Sequence, residues 1–140
     1  MMKKLLINSA IVAAIVFLLT GCTTGNVASA DGKKICSRTG TVTNGTSKMS
    51  YEVYYEDDYV TILHSTEEVT SDDSSVLDTY EEAYKNIFKA YDGLKYYDNT
   101  VTRTDNSIIS DTTINYAKID INKLLEIEGE EDNVIEDGKV

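Results

Sequence analysis

The chain has no proline and no tryptophan, one histidine, His64, and only two cysteines in 140 residues. One histidine is too few for zinc, whose structural sites gather several cysteine or histidine ligands at close spacing. It also leaves hydrolysis of the serine, histidine, aspartate kind with a single candidate base, and no serine stands in a Gly-x-Ser-x-Gly elbow. A lone histidine on a β run is read here as an edge or core residue, so no catalytic residue, metal ligand or cofactor site is assigned. No glycine-rich phosphate loop is present, which removes the usual nucleotide reading. Basic residues are scarce, 13 against 24 acidic ones, for a net charge of −11. Nucleic acid, whose phosphates need lysine and arginine, is excluded as a partner.

Long hydrophobic runs are also missing. The one apolar stretch, Leu5 to Leu19 after Lys3 and Lys4, is broken at Asn8 and Ser9 and falls short of the roughly 20 residues that a spanning helix needs. A charged start followed by a short apolar segment is the pattern of an export signal. It ends in Leu19, Thr20, Gly21, Cys22, which resembles the lipobox of bacterial lipoproteins. That resemblance implies cleavage between Gly21 and Cys22, a signal peptide over 1–21, and diacylglycerol with N-acyl lipid, palmitate among it, on Cys22. Two or three acyl chains exceed the marginal binding of one, each buried methylene contributing about 0.8 kcal/mol. The mature chain is thus expected outside the cytoplasm, on the outer face of the cell membrane.

Residues 22–33 are small and polar with no apolar period, the composition of a flexible tether behind the lipidated cysteine. Loss of Lys3 and Lys4 leaves the mature chain still more acidic, so the domain should stand off an anionic bilayer. With Cys22 holding the lipid, Cys36 is expected to be unpaired and packed as a small apolar residue in the first strand.

From 34 to 125 the pattern is that of one small α+β domain. Ile35–Val42 and Met49–Tyr55 flank Asn44 and Gly45, a dipeptide suited to positive φ in a hairpin, with a loop expected to exceed two residues. In the second run Met49, Tyr51, Val53 and Tyr55 share one face, the alternation of a half-buried strand. Tyr59–Thr70 is a third run in which either alternating set could face inward. Tyr80, Tyr84, Ile87 and Tyr91, widened by Ala83, Phe88 and Ala90, predict the main helix, with Ser75 or Asp78 at its start and Gly93 past its end. Leu94–Thr104 and Ile108–Tyr116 are two more β runs, and Ile119–Leu125 a short closing turn or helix. The expected architecture is a small antiparallel sheet in β-β-β-α-β-β order with one main helix packed on one face. Residues 126–140 read as an acidic, disordered tail.

The tyrosine- and lysine-rich helix leading into Ala90, Tyr91, Asp92, Gly93, Leu94, and the closing run Ile114, Asn115, Tyr116, Ala117, Lys118, Ile119, Asp120, Ile121, resemble the YehR-type bacterial lipoproteins, a small family of unknown function. The resemblance spans Cys36 to Leu125. It implies the same α+β domain and transfers no active site.

The acidic pairs Asp57–Asp58 and Asp72–Asp73 and the run Glu130–Asp132 offer oxygen ligands without the spacing of a calcium loop, and solvated turns and tail account for them. The compositional oddity is ten tyrosines beside two phenylalanines. In a strand, Tyr54 next to Tyr55 and Tyr96 next to Tyr97 would send one ring of each pair outward. Tyr54 and Tyr96 are therefore the candidate interaction surface. Two functions fit: a non-catalytic, membrane-tethered module that meets an envelope protein or polymer, or a small carboxylate-dependent cell-envelope hydrolase. The second requires a concave site holding two carboxyls roughly 5 to 10 Å apart.

Overall fold

The computed structural model describes residues 27–30, 32–57 and 59–129. The expected signal peptide over 1–21, Cys22 with its expected cleavage site, and the acidic run from 130 lie outside the described residues.

Six strands form one antiparallel sheet: β1 Val27–Ala30, β2 Lys33–Val42, β3 Gly45–Glu56, β4 Tyr59–Ser71, β5 Tyr97–Arg103 and β6 Ser107–Asn115, in the spatial order β1-β2-β3-β4-β6-β5. Helix α1 spans Ser74–Phe88 and continues into a single 3₁₀ turn, Lys89–Tyr91, and α2 spans Ile121–Glu128. This is the expected α+β fold with its main helix on one face, enlarged at both ends. Val27 to Ala30 lie in the stretch read as tether and pair with Cys36 to Lys33, so the sheet starts earlier than the polar composition suggests. At the other end α2 runs past Leu125, and Glu128 is 3% exposed, so the domain reaches three residues into the segment read as tail.

The β2–β3 hairpin is tighter than expected. Val42 pairs with Gly45, which leaves Thr43 and Asn44 as a two-residue turn with Asn44 at φ 53. Gly45 is needed for closeness instead of for turning, because a Cβ there would overlap the carbonyl oxygen of Thr70 on β4. In β4 the ambiguity of the inward set has a physical source. Tyr54 pairs with Ile62 but Tyr55 with Val60, so Thr61 is an extra residue and the pleat changes parity across it. Val60 and Leu63 both reach the core as a result. Beyond the bulge the inward set is Leu63, Ser65, Glu67, Val69 and Ser71, of which Leu63, Val69 and Ser71 are buried.

Helix α1 begins two residues before the expected cap. The Asp73 carboxylate accepts the Ser75 amide at 3.0 Å, and the Asp73 amide is in turn held by Ser71 Oγ at 3.1 Å. Leu77 and Tyr84 are the buried positions of the helix and Tyr91 follows in the 3₁₀ turn, while Ala83 and Ala90, expected in the stripe, are exposed. Gly93 at φ 80 breaks away after the turn. Arg103 at the end of β5 locks the helix down, meeting Asp78 at 3.0 Å and Glu81 at 3.5 Å. Asp120 caps α2 by accepting the amides of Asn122 and Lys123.

The core divides in two. One cluster gathers Cys36, Leu63, Tyr91, Tyr97, Ile114, Tyr116, Ile119 and Leu124, and the other Val69, Leu77, Tyr84 and Ile108. Cys36 packs in the first, as expected, but the expectation that it is unpaired does not hold: it is disulfide-bonded, to a partner outside the described residues.

Candidate functional site

Between the two clusters the sheet and α1 do not close. A cavity of about 200 Å³ remains there, walled by Met49 and Tyr51 of β3, Leu63 and Glu67 of β4, Tyr84 and Phe88 of α1, and floored by β6. An apolar cavity near 150 Å³ suffices to bind benzene, so this one has room for a one-ring molecule.

Glu67 enters the cavity because it occupies an inward position of β4, directly between Met49 on β3 and Ser110 on β6. Burial pushes its carboxyl above the usual range, and a nearby Tyr84 hydroxyl draws it part of the way back. Tyr84 hangs from α1 with 7% exposure. Its hydroxyl makes no hydrogen bond of ordinary geometry, and burial, then the Glu67 charge, raises its proton affinity strongly. Tyr51 is raised for the same two reasons, with Arg38 acting in the opposite sense. No lysine, arginine or histidine lines the cavity.

The aromatic wall is a chain of rings. Tyr80 to Tyr84, Tyr84 to Phe88 and Phe88 to Tyr97 are 6.0, 6.4 and 6.5 Å between centroids, and Tyr97 stacks on Tyr91 at 4.0 Å. Behind them the Asn99 amide donates to Thr112 Oγ1 at 2.8 Å and Ser110 Oγ at 3.2 Å, which satisfies the buried hydroxyls of the floor. A fully buried carboxyl lies deeper: the Tyr91 hydroxyl donates to Glu128 Oε1 at 3.0 Å. Burial first, then Glu128, raises Tyr91, Tyr97 and Tyr116.

The opposite face of the sheet carries neither α1 nor α2, and His64 lies there, away from the cavity. Its Nε2 is 3.0 Å from Asp111 Oδ1 and its Nδ1 3.8 Å from Glu52. Thr66 donates to the other Asp111 oxygen at 3.1 Å. Glu52 in turn meets Lys33 at 3.2 Å and accepts the Tyr54 hydroxyl at 3.3 Å. The Lys33 hydrogen bond, before the lysine's charge, holds Glu52 below the usual carboxylate range.

Of the two tyrosines singled out, Tyr54 is on this open face, half-buried under the Lys33 ammonium. Tyr96 is not in a strand. It precedes β5 at φ 69, is 46% exposed, and has Lys118 over its ring at 5.8 Å. The two belong to one row across the sheet, Tyr54, Ile62, Asn115 and the Tyr96 carbonyl, three strand spacings or about 14 Å apart. Tyr97, the first residue of β5, is buried, whereas Tyr55 beside Tyr54 is half-buried.

Glu67 and Tyr84 were not singled out by sequence reasoning. The available signal was a carboxylate in the alternation of a β run, opaque until the parity of β4 is known. Among the described residues no group of three or more histidine, cysteine, aspartate or glutamate side chains is placed to hold a metal, and no helix is long and apolar enough to cross a membrane.

The class defined by these elements is an open antiparallel sheet with its helices on one side and a small aromatic cavity beneath the main helix. No family model and no curated protein matches the chain. Among solved structures it is similar to the NMR structure of the E. coli YehR protein, at 18% identity and a TM-score of 0.47, covering 59% of this chain and 61% of that one. It is also similar to the NMR structure of a protein from Streptococcus pneumoniae TIGR4, at 14% identity and a TM-score of 0.41, covering 77% and 75%. These likenesses concern the fold.

Proposed function

We propose that this chain is an extracytoplasmic binding module of the YehR lipoprotein type, held to the membrane by lipid on Cys22, with the cavity under α1 as its ligand site. The carrying observation is the cavity itself: an aromatic hollow with one half-buried carboxyl, Glu67, and beside it the buried Tyr84 hydroxyl, which has no hydrogen bond of ordinary geometry. Concave, mainly apolar sites with few convergent polar groups are the usual form of small-molecule sites. The alternative, a carboxylate-dependent envelope hydrolase, calls for two carboxyls in one concavity; the cavity under α1 offers Glu67 alone, while a more open hollow beside it is lined by Asp92 and Asp98. The open face, with Tyr54 and Tyr96 in one row, is where an envelope protein or polymer would meet the module.

The anchor and the disulfide bear on each other. A sulfur carries a thioether or a disulfide, and the chain has one cysteine besides Cys36, namely Cys22. Acylation of Cys22 and a Cys22–Cys36 bridge therefore exclude one another within a molecule. Cells fed labelled palmitate should mark the wild-type product, while Cys22→Ala should stay unlabelled and uncut. An intact mass of the membrane-purified product that shows the bridge and no acyl groups sinks the lipid reading.

A further inference from the structure

We infer that the cavity selects a small organic cation, a primary or methylated ammonium on an apolar body of about one ring, with Glu67 as its counter-charge. The inference rests on the proposed binding reading and names the ligand class for the same site. Its basis is an imbalance. Glu67 projects into a space walled by Tyr51, Tyr84, Phe88 and Tyr97 in which no basic side chain faces it. A carboxyl in such surroundings is expensive to keep charged, and one perturbed by burial inside a cleft is a candidate for contact with a ligand.

An ammonium placed there would supply the missing charge and turn the aromatic faces into partners, since rings attract cations most strongly once water is removed. Its N–H groups would find two acceptors, the Glu67 carboxylate and the Tyr84 oxygen, which is 7% exposed as a residue and without an ordinary hydrogen bond. Met49, Leu63, Ile87 and Ile114 are left for the apolar body. An anion would meet Glu67 with like charge. The overall charge of −11 acts in the same direction by raising the local concentration of cations.

The test uses the full chain in detergent with three probes of one shape: benzylamine, a cation at neutral pH, benzyl alcohol, neutral, and benzoate, an anion. Titration calorimetry and tyrosine fluorescence should show saturable benzylamine binding, benzyl alcohol weaker by about tenfold or more, and no benzoate binding. Glu67→Gln, nearly the same shape, should abolish the preference for the amine while retaining benzyl alcohol. Asp98→Asn, an exposed carboxylate outside the cavity, should leave the preference intact. Equal binding of amine and alcohol, unchanged in Glu67→Gln, overturns the cation assignment and leaves the binding reading standing. Silence from all three probes overturns both.

Discussion

At the scale of single residues, Glu67 is where the fold works against its own charge. Its proton affinity is higher in the folded state than in the unfolded chain, where the carboxyl has its ordinary value of about 4.3. The stability attached to this group is thus full below that value and is lost as pH rises through the folded one. Glutamine at 67 stays neutral throughout. Wild type and Glu67→Gln should be closest in stability in acid, with the variant moving ahead as pH approaches neutrality, as read from denaturation midpoints at a series of pH values. A variant that instead falls behind with rising pH would mean that a cation pairs the carboxylate in the ligand-free protein. Nothing local in the sequence marks this residue. Glu67 and Tyr84 meet only because β4 shifts parity at Thr61 and α1 crosses above it, and neither event leaves a trace in spacing. Glu128 was missed for a simpler reason: it stands in a stretch so acidic that one buried carboxyl among solvated ones has no compositional signature.

At the scale of elements, what could be read ahead followed from repeating side-chain patterns. The tyrosine stripe of α1 and the alternation of Met49, Tyr51 and Val53 both repeat long enough to define a face. The β1 strand, four residues of small side chains, is too short to show any period, and its pairing depends on the exposed edge of β2. The β2–β3 hairpin shows another limit. Asn44 takes the positive φ expected of the turn, but Gly45 already stands in β3, and the reason for the glycine lies across the sheet at Thr70. Gly45→Ala should therefore destabilise the domain by about 1 to 3 kcal/mol, the usual range for forcing extra volume into a closed contact, whereas a glycine kept only for turn geometry would tolerate it better. Urea unfolding measures the difference, and a loss within experimental error would show that the two strands separate there without cost.

Across the whole molecule, the tyrosines take the place that leucine and phenylalanine hold in most cores. Tyr84, Tyr91, Tyr97 and Tyr116 are all 7% exposed or less, and burial is the first cause of the upward shift in each. With folded values raised above the ordinary phenol value of about 10, their contribution to stability is complete below that pH and disappears as alkali titrates them. Alkaline unfolding should consequently be cooperative, with part of the tyrosinate absorbance appearing only in step with loss of the far-ultraviolet signal. Ionisation of all ten tyrosines ahead of unfolding would contradict the burial described.

Because β1 is stitched to the sheet edge from Val27 onward, a Cys22 acylated as proposed, and so not bridged to Cys36, would be joined to the folded body by only four residues, a reach of at most about 15 Å. A body this acidic would then ride low over the headgroups instead of swinging free, and any drag on the lipid would be borne by four rungs of an edge strand. Fraying those rungs would pay out more line, so the height at which the module works is set by how firmly its first strand holds.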